Sequence, residues 1–319
     1  MSKLSKEKML GLYRQMVMIR RTEEKLMDVF SAGEIPGFLH VSIGQEAAPV
    51  GICAHLRDDD YIGTTHRGHG YAIAKGIDLK RAMAELFGRK QGYCMGRSGS
   101  MHLADLGKGI MGANGIVGGG IPVVTGAGFA AKYNGTDQVA VATFGDGTAN
   151  QGTFHESLNI AAVMNLPVIY LCENNGWAEF SPRPTHTKIE NIADRAAAYG
   201  MPGTIVANDV LEIYEAVGTA VARARKGGGP TLIEIKCDRW YGHYVGDAQK
   251  YRGKDKIEAA IVKDCIRNFE RLLLKDKVLR KQEIEKIEAE IKSELEEAVD
   301  FARKCPFPDP SEMMEGLYV

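Results

Sequence analysis

Two near-continuous apolar runs constrain this chain most, residues 139–144 (Val-Ala-Val-Ala-Thr-Phe) and residues 166–172 (Leu-Pro-Val-Ile-Tyr-Leu-Cys). Runs of that length without polar alternation read as strands covered on both faces, the pattern of a parallel sheet between layers of helices. Residues 151–165 supply a crossover helix, so the runs form one βαβ unit. Behind the first strand stands Gly145-Asp146-Gly147, and after 26 intervening residues, behind the second, stands Asn174-Asn175. Both groups fall at the carboxyl edge of the sheet, where open α/β folds bind ligands. A carboxylate, an amide oxygen and nearby carbonyls suit a hard cation such as Mg²⁺, which keeps positions for water and phosphate oxygens. The pattern points to a cation-bridged diphosphate.

The flanking sequence extends the rhythm. Further strands are predicted at 204–207 and 231–236, an extended segment near 61–63, and helices at 122–132, 192–199 and 210–225, giving an α/β, doubly wound, mostly parallel sheet flanked by helices. Residues 5–31 carry apolar side chains at helical spacing (Met9, Leu12, Met16, Ile19, Leu26, Val29), with Gly33 as a stop. Helices are also expected at 45–56 and 79–87. Residues 88–128 are dense in glycine and predict irregular backbone of a functional kind. Residues 254–304 predict a long, charge-laced helical stretch, closed by Pro306, Pro308 and Pro310. The reading is one domain, 1–319: a helical N-terminal extension to about residue 40, a core of about 41–250, and C-terminal helices and tail from about 251.

Charge excludes some partners. Forty basic and 41 acidic residues give a formal net charge of −1, so no global field draws in nucleic acid or an anionic membrane. No apolar stretch approaches the roughly 18 residues of a spanning helix. Six scattered cysteines without a C-x-x-C pair predict reduced thiols. With no apolar signal segment at the N-terminus, the expectation is a soluble cytoplasmic protein.

Gly-Asp-Gly alone is common loop punctuation, and the plain alternative is Asp146 capping the next helix. Its pairing with Asn174-Asn175 favours the ligand reading, and free N–H groups where the helix opens can hold phosphate. Gly147 and Gly152 have P-loop spacing, but Thr153-Phe154 replaces the Lys-Ser/Thr that such a loop needs. Gly126-Ala127-Gly128 fits a loose dinucleotide fingerprint, yet no adequate strand precedes it, and tight helix packing explains those glycines better. In His66-Arg67-Gly68-His69-Gly70, Arg67 suits diphosphate oxygens bidentately. His66 and His69 could ligate metal, but no Cys or carboxylate completes a set. His243 follows the strand at 231–236 to the same edge as Asp146, and His40 is a second proton-carrier candidate. His55 and His186 read as packing or surface residues, while His102 and His155 stay open.

Together these residues resemble a known family. Gly145-Asp146-Gly147 with Asn174-Asn175 resembles the thiamine diphosphate motif. The blocks Thr65-His66-Arg67-Gly68-His69-Gly70, Gly99-Ser100-Met101-His102, Gly112-Ala113-Asn114-Gly115-Ile116-Val117-Gly118 and Tyr241-Gly242-His243 resemble the alpha subunit of the first component of 2-oxo acid and acetoin dehydrogenase complexes. The resemblance runs from about Tyr13 to Glu312. Within the family it is closest to acetoin dehydrogenase alpha subunits, through residues 64–76 and 191–203.

The resemblance implies a thiamine diphosphate-binding fold with thiamine diphosphate and Mg²⁺ as cofactors. It places Mg²⁺ on Asp146, the Asn175 side chain and the Trp177 carbonyl. His66, Arg67, Gly115, Val117, Gly147 and Thr148 would line the cofactor site with Asp146, Asn175 and His243, while His243 and His40 would face the substrate. Tyrosine is common in relatives at the positions of His66 and Trp177. Animal relatives have a phosphorylatable serine where Tyr244 stands here. The implied reaction cleaves acetoin to acetaldehyde and hydroxyethyl-thiamine diphosphate and passes the acetyl unit to lipoamide. Pyruvate or branched-chain 2-oxo acid decarboxylation is the alternative, and a non-catalytic regulatory subunit the remote one. The implied partners are a beta subunit, in a heterotetramer of two alpha and two beta chains, and a lipoyl-bearing acyltransferase. The beta chain would supply the glutamate that activates the cofactor. The small-residue stretch 118–131 is a candidate interface.

Overall fold

Helix α1 (Lys6–Ser31) begins where the Ser5 hydroxyl accepts the Lys8 N–H at 3.2 Å, and it buries Leu12, Met16, Ile19 and Leu26 along one face. The computed structural model describes residues 4–315, so the ends of the 1–319 domain reading lie outside the described residues. The chain continues through α2 (Ala47–Cys53), β1 (Tyr61–Thr65), α3 (His69–Ala74), α4 (Leu79–Leu86), β2 (Ile110–Asn114) and α5 (Gly120–Tyr133). Next come β3 (Ala140–Gly145), α6 (Gly152–Val163), β4 (Val168–Asn174), β5 (Trp177–Ala178), β6 (Ser181–Pro182), β7 (Gly203–Ala207), α7 (Val210–Arg225) and β8 (Thr231–Lys236). Helices α8 (Lys254–Val262), α9 (Cys265–Lys275) and α10 (Lys281–Lys304) complete it.

Six strands form one sheet in the order β2-β1-β3-β4-β8-β7, every pair parallel, while β5 and β6 make a small antiparallel hairpin beside it. This is the doubly wound α/β architecture. The two faces separate by residue parity. Val141, Ile169, Leu171, Ile233 and Ile235 pack into the core shared with α1, α2 and α7. Ala142, Phe144, Val168, Tyr170 and Leu232 pack against α5 and α6. Every residue of β4 is buried. Each fully buried aliphatic side chain contributes about 1.5–3 kcal/mol, and a one-residue slip would exchange the two sets.

The structure departs from the sequence reading in four places. A strand, β2, lies inside the glycine-dense stretch expected to be irregular; its Gly112 at φ 123° hid the pattern. The helix at 192–199 is 3₁₀. The long stretch at 254–304 is three helices, interrupted where Asp264 caps α9, accepting the Ile266 N–H at 3.0 Å, and where Lys277 turns with φ 56°. Helix α2 spans only Ala47–Cys53. The glycine of the loose dinucleotide fingerprint sits within α5, where a Cβ on Gly128 would stand 2.4 Å from Val168 Cγ2. That is close helix–sheet packing.

Asp60, fully buried before β1, ties the strand starts together. It accepts the Arg57 N–H at 2.7 Å, the Val139 N–H ahead of β3 at 2.9 Å, and both Nη groups of Arg225 at the end of α7 at 2.9 and 2.5 Å. Asp60→Ala strands these donors and should cost about 3–5 kcal/mol in urea denaturation. A loss below about 1 kcal/mol would show that water replaces the carboxylate.

Candidate active site

The strand ends at the carboxyl edge are level. Gly145 pairs with Glu173, Asn174 with Lys236, and Gly63 with Ala142. The loops leaving this edge enclose a cavity of about 480 Å³. His40, His66, Arg67, Gly115, Val117, Gly147, Thr148, Asn175, Trp177 and His243 all line it. Asp146 lies beneath, with no exposed surface.

Asp146 is exceptional. Neither carboxylate oxygen has a hydrogen-bond partner. Burial pushes its carboxyl up to about 6, against the weaker pull of its own backbone N–H and then of Arg183 and Arg239. It does not cap α6, whose N-cap residue Gln151 makes no side-chain bond. A buried carboxylate left unpaired is costly, and a hard cation is the partner that its two free oxygens fit.

The two asparagines diverge. Asn174 turns into the sheet, donating to Glu234 Oε1 at 2.6 Å and accepting the Gly176 N–H at 3.2 Å. Asn175 faces the cavity, its Nδ2 donating to Gln45 Oε1 at 3.1 Å, while its Oδ1 accepts the Trp177 N–H at 3.2 Å and keeps a second lone pair. Gly176 makes this turn with φ 78°. Across the cavity, a Cβ on Gly147 would lie 2.6 Å from the Ala178 Cβ, so only glycine permits that backbone approach.

Arg67 does more than the sequence assigned to it. Its Nη1 donates to the Val41 carbonyl and its Nη2 to the His243 carbonyl at 2.6 Å. Both terminal groups therefore clamp loops, while the guanidinium still lines the cavity with donors to spare. The clamp draws together the imidazoles of His40, His66 and His243, whose ring centroids lie 4.6, 4.9 and 5.2 Å apart. Burial first and the Arg67 charge second hold them at about 3, 2 and 4, so all three are neutral near pH 7. Neutral imidazoles can donate a hydrogen bond to a developing oxyanion.

Other cavity groups escaped sequence reasoning. Glu173 is pushed up to about 7 by burial, against the pull of Tyr71 and Arg67. Its signal was a lone acid in an apolar strand. Arg239 is buried, donating to the Glu179 carbonyl at 2.9 Å and to the Tyr251 hydroxyl at 3.1 Å. His186, read as packing or surface, stands 3.7 Å from Asp146. His69 leaves the site altogether. Its Nδ1 meets Glu23 at 3.1 Å and its Nε2 meets Ser100 Oγ at 2.9 Å, a serine–histidine–glutamate relay. Ser100 is buried, so the relay fastens the 99–102 segment to α1. The preceding loop is organised by Glu85, which accepts the N–H groups of Cys94, Gly96, Ser98 and Gly99 at 2.7–3.2 Å.

The sequence profile of the dehydrogenase E1 component family matches residues 14–311. Over 318 residues the chain is 50% identical to the alpha subunit of acetoin:2,6-dichlorophenolindophenol oxidoreductase from Bacillus subtilis, covering 99% of this chain and 95% of that one. The subunit of the same name from Cupriavidus necator is 48% identical, with coverages of 99% and 96%. The pyruvate dehydrogenase E1 component subunit alpha of Rhizobium meliloti is 38% identical, with coverages of 99% and 91%.

Because no side chain among the described residues donates a hydrogen bond to Asp146, Asp146→Asn orphans no side-chain donor and removes a buried charge. Without added cation or cofactor, the variant should melt at or above the wild-type temperature. A stability loss of more than about 1 kcal/mol would instead mark the carboxylate as structural.

Proposed function

The chain belongs to the dehydrogenase E1 component family, and from that premise we propose that it is the alpha subunit of a thiamine diphosphate-dependent enzyme acting on acetoin in the cytoplasm. The observation that carries the substrate is the 50% identity along almost the whole chain to an acetoin:2,6-dichlorophenolindophenol oxidoreductase alpha subunit. In the reaction, acetoin and a lipoyl disulfide give acetaldehyde and an S-acetyl thioester. The carbon–carbon bond of acetoin breaks, the disulfide accepts the electron pair, and one sulfur leaves as a thiol.

When bound, thiamine diphosphate supplies the carbon nucleophile and the electron sink. Asp146, the Asn175 amide oxygen and the Trp177 carbonyl would hold Mg²⁺. The unpaired oxygens of Asp146 support that role. Gly115, Val117, Gly147, Thr148 and Arg67 would line the cofactor site, and orientation is the main catalytic contribution of such contacts. His243 and His40, with His66 beside them, would face the substrate, where neutral imidazoles stabilise oxygen-bearing groups by hydrogen bonding without adding a fixed positive charge.

A beta subunit completes this reading. Val123, Phe129 and Tyr133 of α5, Ile160 and Val163 of α6, and Ile116 and Val117 at the cavity mouth are all exposed. Exposed apolar surface of that extent marks a protein interface, and it overlaps the small-residue stretch 118–131. We place a beta chain there, in a heterotetramer of two alpha and two beta subunits that delivers its product to a lipoyl-bearing acyltransferase.

Reconstitution with a beta subunit tests the substrate. Dye-linked assays should give the highest kcat/KM with acetoin over pyruvate and a branched-chain 2-oxo acid, and only when thiamine diphosphate and Mg²⁺ are present. A preference for pyruvate would transfer the chain to the decarboxylating branch, and cofactor binding without turnover on any of the three would make it regulatory. Isolated alpha chain should not turn over.

Calorimetry tests the metal assignment. In the tetramer, Asp146→Asn should weaken thiamine diphosphate binding in Mg²⁺ buffer by about 10–100-fold. Unchanged affinity would sink the assignment.

A further inference from the structure

His66 and His69 stand three apart in sequence, but the fold sends His69 to Glu23 and gives His66 two other neighbours. His40 lies ahead of α2, His66 follows β1 and His243 follows β8. One ring nitrogen from each lies within 4.8 Å of the other two. The Nδ1 atoms of His40 and His243 are buried without a hydrogen-bond partner. Three imidazoles that converge without bonding one another, on a cavity wall, form a donor set.

That set differs in kind from the one at Asp146. A carboxylate and an amide oxygen select hard cations, whereas imidazole selects zinc, copper and nickel. Zn²⁺ binds imidazole at about 2.0–2.1 Å in a tetrahedron, which puts the nitrogens about 3.4 Å apart. Side-chain rotation can close the remaining gap. Arg67 and Arg239 oppose a dication, but their terminal N–H groups point at the carbonyls of Val41, His243 and Glu179, and Glu173 lines the same cavity. Three protein ligands leave the fourth position open to the cavity, as in exchangeable zinc sites.

We propose that His40, His66 and His243 form a second metal site, for a transition-metal ion of the Zn²⁺ class, separate from the hard-cation site at Asp146. The ion occupies the space between the three rings. Under the proposed reaction that space receives substrate, so loading with the ion and turnover exclude each other.

Cobalt, as a visible stand-in for zinc, tests the site in the full-length chain with Mg²⁺ saturating the hard-cation position. One equivalent of Co²⁺ should develop four-coordinate absorption that Zn²⁺ displaces. The signal should survive Asp146→Asn, while His66→Tyr and His40→Gln should each raise the Kd by about 100-fold or more. Unchanged binding in His66→Tyr, six-coordinate absorption alone, or a sulfur-to-cobalt band from the buried thiols would each overturn the site. Should a histidine variant fail to fold, nitrogen-15 spectra of the wild-type chain decide the matter. Zn²⁺ should shift three of its eight histidines, and any other number refutes the donor set. In the reconstituted tetramer Zn²⁺ should raise the apparent KM for substrate and leave kcat unchanged. A fall in kcat alone would overturn the exclusion and leave the site itself to the cobalt result.

Discussion

The parallel pairing of β3 with β4, Ala140 against Val168 through Gly145 against Glu173, sets where everything else in the site can be. Both strands are buried on two faces, and the faces are occupied by different side chains. Slippage by one residue would carry Val141 and Ile169 into the space of Ala142 and Tyr170, losing several buried side chains at once. The level ends of the strands therefore follow from core packing. Asp146 leaves β3 one step beyond Gly145, and Asn175 leaves β4 one step beyond Asn174. The distance between the Asp146 carboxylate and the Asn175 amide is thus fixed by aliphatic contacts well below them, and the loops need only present the remaining groups.

How the chain treats its buried acids separates architecture from chemistry. Asp60 accepts bonds from two backbone N–H groups and both Nη groups of Arg225. Glu85 gathers four N–H groups of one loop. Glu23 is bonded to Ser42 and His69, and Glu46 to Arg20 and the Gly44 N–H. Each pins segments that would otherwise wander. Asp146 is equally inaccessible, yet among the described residues its oxygens meet only the His186 ring at 3.7 Å, beyond hydrogen-bond reach. Native interiors satisfy their polar groups, so a fully inaccessible carboxylate with neither oxygen bonded stands apart from these four.

Much of this was legible from residue order. The apolar runs at 139–144 and 166–172 located β3 and β4 because strands buried on both faces have no polar alternation to blur them. Positions following those strands then had to share an edge, which made Asp146, Asn175 and His243 neighbours before any coordinates. What stayed hidden has a common cause. The site roles of Arg239, His186 and Glu173 depend on how loops fold over the edge, and loop paths carry no period. Strand β2 was hidden by Gly112, which breaks the side-chain pattern while leaving the backbone free to pair. The parting of His66 from His69 has a related reason. His69 is the first residue of α3, and a helix start redirects the side chain.

Arg67 shows how one buried group can serve assembly and chemistry together. Its carbonyl bonds join the loop before α2 to the loop after β8, two segments some two hundred residues apart in the chain. Burial first, and the same charge second, lower the neighbouring imidazoles and hold them neutral. That effect depends on dryness, because water would screen it. Yet the cavity mouth is rimmed by Ile116 and Val117, exposed at 72% and 47%. Apolar side chains facing solvent beside polar chemistry do not by themselves exclude water. They form a seat, and a second apolar surface set on it would lower the local dielectric, strengthen the Arg67 field and remove the exposed rim in one step. The electrostatics of the edge and the unpartnered apolar face thus make the same demand, for a cover that another chain must bring.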